Sequence, residues 1–245
     1  MKVLFSFFSA IILIAVCFIS QPFISCTKEK TIYDTVIVNH HDTTIVDHHD
    51  TTTLFKHDTV QLTLESCCSN YEATVDSYFP TGNSAGLQLT VASWTHNGLP
   101  EDSRVYTRFD YSDLPSDALI LSAKLSLYAV DTPGAGNFVD PHFGSANACY
   151  VQRITSDWVM STINWTNQPQ TTTDNQAVIP QSVSPTQDDT NIDVTALVQD
   201  MIANGNHGFA IKLQNETIYN SRQYSSSFDT DASKRPKLVI QYKKQ

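Results

Sequence analysis

SRVYTRFDYSDLPSDALILSAKLSLY, residues 103–128, reads as strand, acidic turn, strand. Val105, Thr107 and Phe109 alternate with Tyr106, Arg108 and Asp110, the period of a half-buried strand. Ser112-Asp-Leu-Pro-Ser-Asp117 follows, and Pro115 has no amide to give to a ladder. Ala123, Leu125, Leu127 and Ala129 then alternate with Lys124, Ser126 and Tyr128. Two strands with one apolar face each, joined by a short turn, belong in an antiparallel sheet that covers a core on one side.

The same pattern recurs on both sides of this stretch. It predicts strands over Ala73–Phe79, Leu87–Ser93, Val105–Asp110, Ile120–Val130, Ala148–Thr155, Phe209–Leu213, Ile218–Tyr224 and Lys237–Tyr242, with Gly, Asn, Asp and Pro at the breaks. One helix is predicted, with Asp193 as N-cap and Gly205 just beyond its end. Val194, Leu197, Val198, Met201 and Ile202 form its apolar stripe. Many short strands with one short helix predict an all-β, two-sheet antiparallel sandwich of jelly-roll type over residues 70–245.

A chain of 245 residues with a net charge of −10 is large enough for one substantial domain plus appendages. The acidic balance argues against nucleic acid, which needs a clustered basic surface. The only basic run is the tail Lys234, Arg235, Lys237, Lys243 and Lys244, which a terminal strand explains equally well.

Residues 1–25 read as a targeting segment. Lys2 precedes an almost unbroken apolar run from Val3 to Ile19, too short and wrongly flanked for a membrane span. Ser25 directly before Cys26 resembles the cleavage box of bacterial lipoproteins, with Phe23 where leucine is usual. The expectation is a lipid on Cys26 and a place at the outer membrane or cell surface, with the membrane as a partner. In an oxidising compartment one of Cys67 and Cys68 is expected to bridge to Cys149, since adjacent cysteines bond each other only with strain.

Residues 26–69 read as an extended spacer. From Asp34 the chain repeats every eight residues, with units opening at Asp34, Asp42, Asp50 and Asp58. Histidines recur at His41, His49 and His57, but in an extended chain successive ones stand roughly 26 Å apart, too far to chelate one ion. Each unit begins Asp-Thr followed by Val or Thr, similar to a bacterial O-glycosylation signal, with Thr35, Thr43, Thr51 and Thr59 as acceptors.

Five segments of the domain together resemble the DNRLRE family. They are Ala73–Tyr78, Val151–Trp158 with Thr162–Pro169, Ile192–Asp200, Asn206–Phe209 and Arg235–Tyr242, in addition to the opening stretch. The family's closing Ser-Arg-Glu stands here as Ser221-Arg222-Gln223. Members include modules attached to polysaccharide lyases, some of which bind alginate, so the resemblance implies a non-catalytic β-sandwich that binds an extracellular polysaccharide. Surface adhesion to matrix or protein is the alternative, and an unrecognised lyase or glycosidase a more distant one.

A pyranose presents an apolar face and a hydroxyl rim, which an aromatic ring with polar neighbours matches. Trp94, His96, His142, Phe143, Tyr224 and Phe228 are therefore candidate ligand residues, with Arg104, Lys212 and Arg222 for an acidic glycan. Trp158 and Trp165 are assigned to the core. Asp188-Asp189 and Asp229 with Asp231 offer hard oxygens for Ca²⁺, without EF-hand spacing. No nucleophile elbow or zinc-protease motif is present, and the reading is non-enzymatic.

Overall fold

The computed structural model describes residues 29–33, 59–65 and 71–244. The first strands are β1 (Glu29–Tyr33), β2 (Thr59–Glu65), β3 (Glu72–Asp76), β4 (Asn83–Ser84), β5 (Gln88–His96), β6 (Leu99–Thr107) and β7 (Leu119–Leu127). Then come β8 (His142–Phe143), β9 (Cys149–Ile154), β10 (Thr171–Ile179), β11 (Asp189–Asp193), helix α1 (Thr195–Asn204), β12 (Phe209–Leu213), β13 (Asn220–Ser225) and β14 (Lys237–Lys243). Sheet one runs β1-β2-β14-β7-β11 and sheet two β10-β9-β12-β6-β5-β13-β8, with β3 on β6 and β4 on β3. The protein is the all-β, two-sheet antiparallel sandwich that the alternation predicts.

The core is built from that alternation. In sheet one Leu238 stands between Leu125 and Leu64, and Ile240 between Ala123 and Leu62. All six are fully buried. They face Leu89, Val91, Val105, Val151, Phe209, Ile211 and Tyr224 of sheet two in one continuous cluster. Each buried aliphatic side chain contributes about 1.5–3 kcal/mol. Helix α1 packs on β7 and buries Leu197, Val198 and Met201 in the same core. Val194 occupies the N-cap, and the Asp193 carboxylate one residue earlier accepts from the Thr195 amide at 3.0 Å.

The spacer expectation is corrected at its end. Thr59–Glu65 of the last octapeptide form β2, an inner strand of sheet one that pairs with β1 and β14. Val60, Leu62 and Leu64 are at most 3% exposed, because this unit carries strict apolar alternation. Thr59 is half-buried on the outward side of that alternation. Cys26, Thr35, Thr43, Thr51, Cys67 and Cys68 lie outside the described residues.

Among the described residues Cys149 has no disulfide partner, its expected partners Cys67 and Cys68 lying outside them. Cys149 is a free thiol buried in the core, and burial pushes its pKa up to about 12. It packs as a small apolar side chain.

Sheet two has a second, smaller apolar cluster on its outer face. Ala73, Val75, Tyr106, Ile154 and Ala210 are covered there by Trp158 and Ile163 of the segment leading into β10. The Trp158 indole donates to the His207 carbonyl at 2.8 Å. Gly208, at φ 91°, lets the chain pass tightly beside Thr107 and Arg108, where no Cβ fits.

Candidate functional site

Beyond this covering segment a groove crosses the outer face of β10-β9-β12-β6, floored by the buried Tyr106, Ala210 and Gln152. Strand alternation puts Arg104 and Tyr106 of β6, Ala210 and Lys212 of β12, and Tyr150 and Gln152 of β9 on this face. In the ladder Ala210 stands between Tyr106 and Gln152, and its methyl group leaves a depression between two long side chains. Two adjoining hollows of about 270 and 330 Å³ share Arg104, Gln152 and Lys212, making one groove across the strands.

Most of its polar lining is fixed. Arg104 makes a bidentate pair with Glu216, Nε to Oε1 at 2.7 Å and Nη2 to Oε2 at 2.8 Å. Its third nitrogen donates to Gln168 Oε1 at 2.9 Å, and its plane lies 4.5 Å from the Trp165 ring. The hydrogen bonds to Glu216 raise the Arg104 pKa further. Tyr106 donates to the same Gln168 oxygen at 2.7 Å, and burial pushes its hydroxyl up to about 12. Gln152 donates to Gln176 at 2.7 Å and accepts from Thr171 at 3.0 Å. Lys212 has no ion-pair partner among the described residues, and with Tyr150 and Gln214 it presents polar atoms to the groove. The accessible part of this lining, Arg104, Tyr150, Lys212 and Gln214, can meet sugar hydroxyls, and it offers an ammonium to an anionic group.

The residues singled out from the sequence divide among five places. Arg104 and Lys212 line the groove. Trp94 meets Phe143 edge-to-face at 5.5 Å and Tyr219 at 5.1 Å, on the other face of sheet two. His96 lies against Tyr78 at 4.2 Å near the end of the β5–β6 hairpin. Phe228 is half-buried in the turn after β13.

His142, Arg222 and Tyr224 are a correction, being buried rather than displayed. Arg222 is fully enclosed, with Nη1 2.5 Å from Asp189 Oδ2 and further bonds to the carbonyls of Asn147 and Pro180. Tyr224 donates to the same Asp189 oxygen at 2.6 Å. His142 Nε2 bonds the Gln187 carbonyl at 2.8 Å, and burial lowers its pKa. These residues tie β13 and β8 to β11 across the two sheets.

Neither acidic pair forms the calcium arrangement considered from the sequence. Asp189 is taken by Arg222 and Tyr224, while Asp188 accepts from the Ala129 amide at 2.9 Å. Asp229 and Asp231 accept backbone amides within their own turn. Among the described residues no three His, Cys, Asp or Glu side chains gather to hold a metal. Trp158 is core as expected, and Trp165 is half-buried, packed against the same cluster with the Arg104 guanidinium over its ring.

Sequence reasoning missed Tyr106, Tyr150, Gln152, Gln168 and Gln214. The signal was present in part, since Tyr150 and Gln152 alternate with buried Cys149 and Val151 on β9. No curated protein matches the chain. Residues 69–242 match carbohydrate-binding module family 96, which gives the domain a carbohydrate ligand and a role of a generally non-catalytic kind. The span covers well over half of the sequence, and the chain belongs to that family.

Proposed function

We propose that this protein holds an extracellular polysaccharide in the groove of sheet two, without cleaving it. What carries the reading is the combination of a multi-strand groove, a lining already fixed by its own hydrogen bonds, and Lys212, which has no ion-pair partner among the described residues. A polysaccharide is long and hydroxyl-rich, so a pre-ordered row of amides and hydroxyls binds it at small cost in side-chain entropy. Lys212 favours sugars that carry carboxylate or sulfate groups, because Glu216 already engages the Arg104 charge.

Affinity electrophoresis of the full chain in gels containing alginate, pectate or a sulfated galactan tests this directly. Retardation by at least one anionic polysaccharide, reduced in Lys212→Ala, is the expected result. Equal mobility in all of them removes the reading. The same proposal places the protein at the cell surface, tethered through a lipidated Cys26 and a spacer glycosylated at Thr35, Thr43 and Thr51, whereas Thr59 belongs to the folded domain as the first residue of β2. Release from membranes in Cys26→Ser is expected, and retention of that variant counts against the anchor.

A further inference from the structure

Strand β6 carries a second set of side chains on the face opposite the groove. Its residues 99–103 pair with β5 and its residues 103–107 with β3, Ser103 with both, and the Thr90 amide of β5 donates to Thr74 Oγ1 of β3 at 3.2 Å beside the space between those two strands. The gap between them is a cleft of about 290 Å³, small among ligand pockets and of a size for one or two sugar rings. Asp76, Glu101, Ser103 and Thr90 line it, with Phe79 at its mouth.

Phe79 is 55% exposed, yet its ring is held in place, edge-on to Tyr78 at 5.0 Å and to His96 at 5.2 Å. An exposed aromatic face that is pre-positioned beside hydroxyl and carboxyl groups matches the two sides of a pyranose. Asp76 is committed to the fold: it accepts from the Tyr78 amide at 2.6 Å, the Phe79 amide at 3.2 Å and Ser103 Oγ at 3.0 Å. The Glu101 carboxyl lines the cleft beside Asp76, and His96 Nδ1 stands 3.6 Å from its Oε2.

The charge of the cleft selects its ligand. No lysine or arginine lines it, so a uronate or sulfated sugar would bring its anion beside two carboxyl groups without compensation. We infer that the cleft between β3 and β5 is a second carbohydrate site, which takes a neutral sugar with its ring on Phe79 and its hydroxyls on Glu101, Ser103 and Thr90. The inference rests on the carbohydrate-binding reading of the domain, but not on the groove.

The test is affinity electrophoresis of the full chain against neutral polysaccharides (a β-glucan, a galactomannan, a xylan and a dextran), with alginate, pectate and a sulfated galactan run in parallel. The wild type should be retarded by at least one neutral polymer. Phe79→Ala and Glu101→Ala should each weaken that retardation about tenfold, at unchanged melting temperature and with retardation by the anionic polymer intact. If Glu101→Ala melts lower than the wild type, Phe79→Ala alone decides, because its side chain is exposed. Absence of retardation by every neutral polymer, or retardation indifferent to Phe79→Ala, overturns the cleft. Either result leaves the groove standing if an anionic polymer still retards the wild type, whereas loss of all retardation ends both.

Discussion

Ser103 and Arg104 are adjacent in the chain and belong to different sites. Arg104 faces the groove with Lys212, in a setting of amides and fixed cations. Ser103 faces the cleft with Asp76 and Glu101, where cations are absent from the lining. Strand alternation alone separates the two chemistries, with β6 as the shared wall. The groove is ordered by side chain–side chain bonds from β6 to loops distant in sequence, the cleft by a local turn at Asp76 and an aromatic stack. One strand can thus carry opposite electrostatics on its two faces, provided the sheet is solvated on one side and split on the other.

The largest expected effect strikes both sites together. Arg222→Ala leaves Asp189 buried without its partner and should cost about 3–5 kcal/mol. Thermal unfolding should fall on the order of 10 °C. Binding at groove and cleft should decline in parallel at temperatures near the new transition. If one site fails while the fold remains intact, the comparison breaks, because Arg222 would then be specific to that site.

Next in size is the change meant to separate the sites. Lys212→Ala should weaken retention by an anionic polysaccharide about tenfold, the value of one charge-assisted contact, with melting unchanged. The half-buried Lys212 has no ion-pair partner among the described residues, so little stability depends on it. Gln168→Ala should act more weakly, about threefold on the same ligand, since it removes the acceptor shared by Arg104 and Tyr106 without removing either. An effect of Gln168→Ala larger than that of Lys212→Ala would mean that Gln168 touches the glycan itself.

Much of the frame was legible because periodicity survives in the strands that meet the core. Val105 and Leu125 stood out as inward residues and are fully buried. The polar strands β10 and β11 were not legible. They lie at sheet edges, and Asn175 (φ 57°) and Asn191 (φ 58°) interrupt their pairing. The site was harder still. Arg104 and Glu216 are 112 residues apart, and only the register of β6, β12 and β9 brings the groove together. Reading strand-end aromatics as surface also misjudged β13. All six of its residues are buried, because the loop before β8 lies over their outer side. Gln223, where the signature that the sequence resembles has glutamate, holds that loop through the amide and carbonyl of Ala135 at 3.1 and 2.6 Å. A neutral amide can serve both a donor and an acceptor there, as a carboxylate cannot.

The smallest effect distinguishes the cleft by its proton. Burial, then the hydrogen bond to Asp76 and the charge of Asp76, push Glu101 up from 4.5 to about 8. Between those two values the folded protein holds a proton that the unfolded chain has released, so stability falls as pH rises through this window. His142 contributes the opposite slope: its folded pKa lies below 6.5, the unfolded chain takes up the proton more readily, and stability is lost as pH drops. Asp76 on β3 and His96 on β5 are the charged or titratable groups facing Glu101, and no lysine or arginine lines the cleft. Glu101→Gln keeps the side-chain shape and removes only the titration. The melting temperature of wild type minus that of Glu101→Gln should therefore decline from pH 5 to pH 8, with the His142 contribution cancelling in the difference. A flat difference would mean that Glu101 is ionised throughout. The cleft would then carry two full negative charges, and a neutral sugar would lose to a cation there.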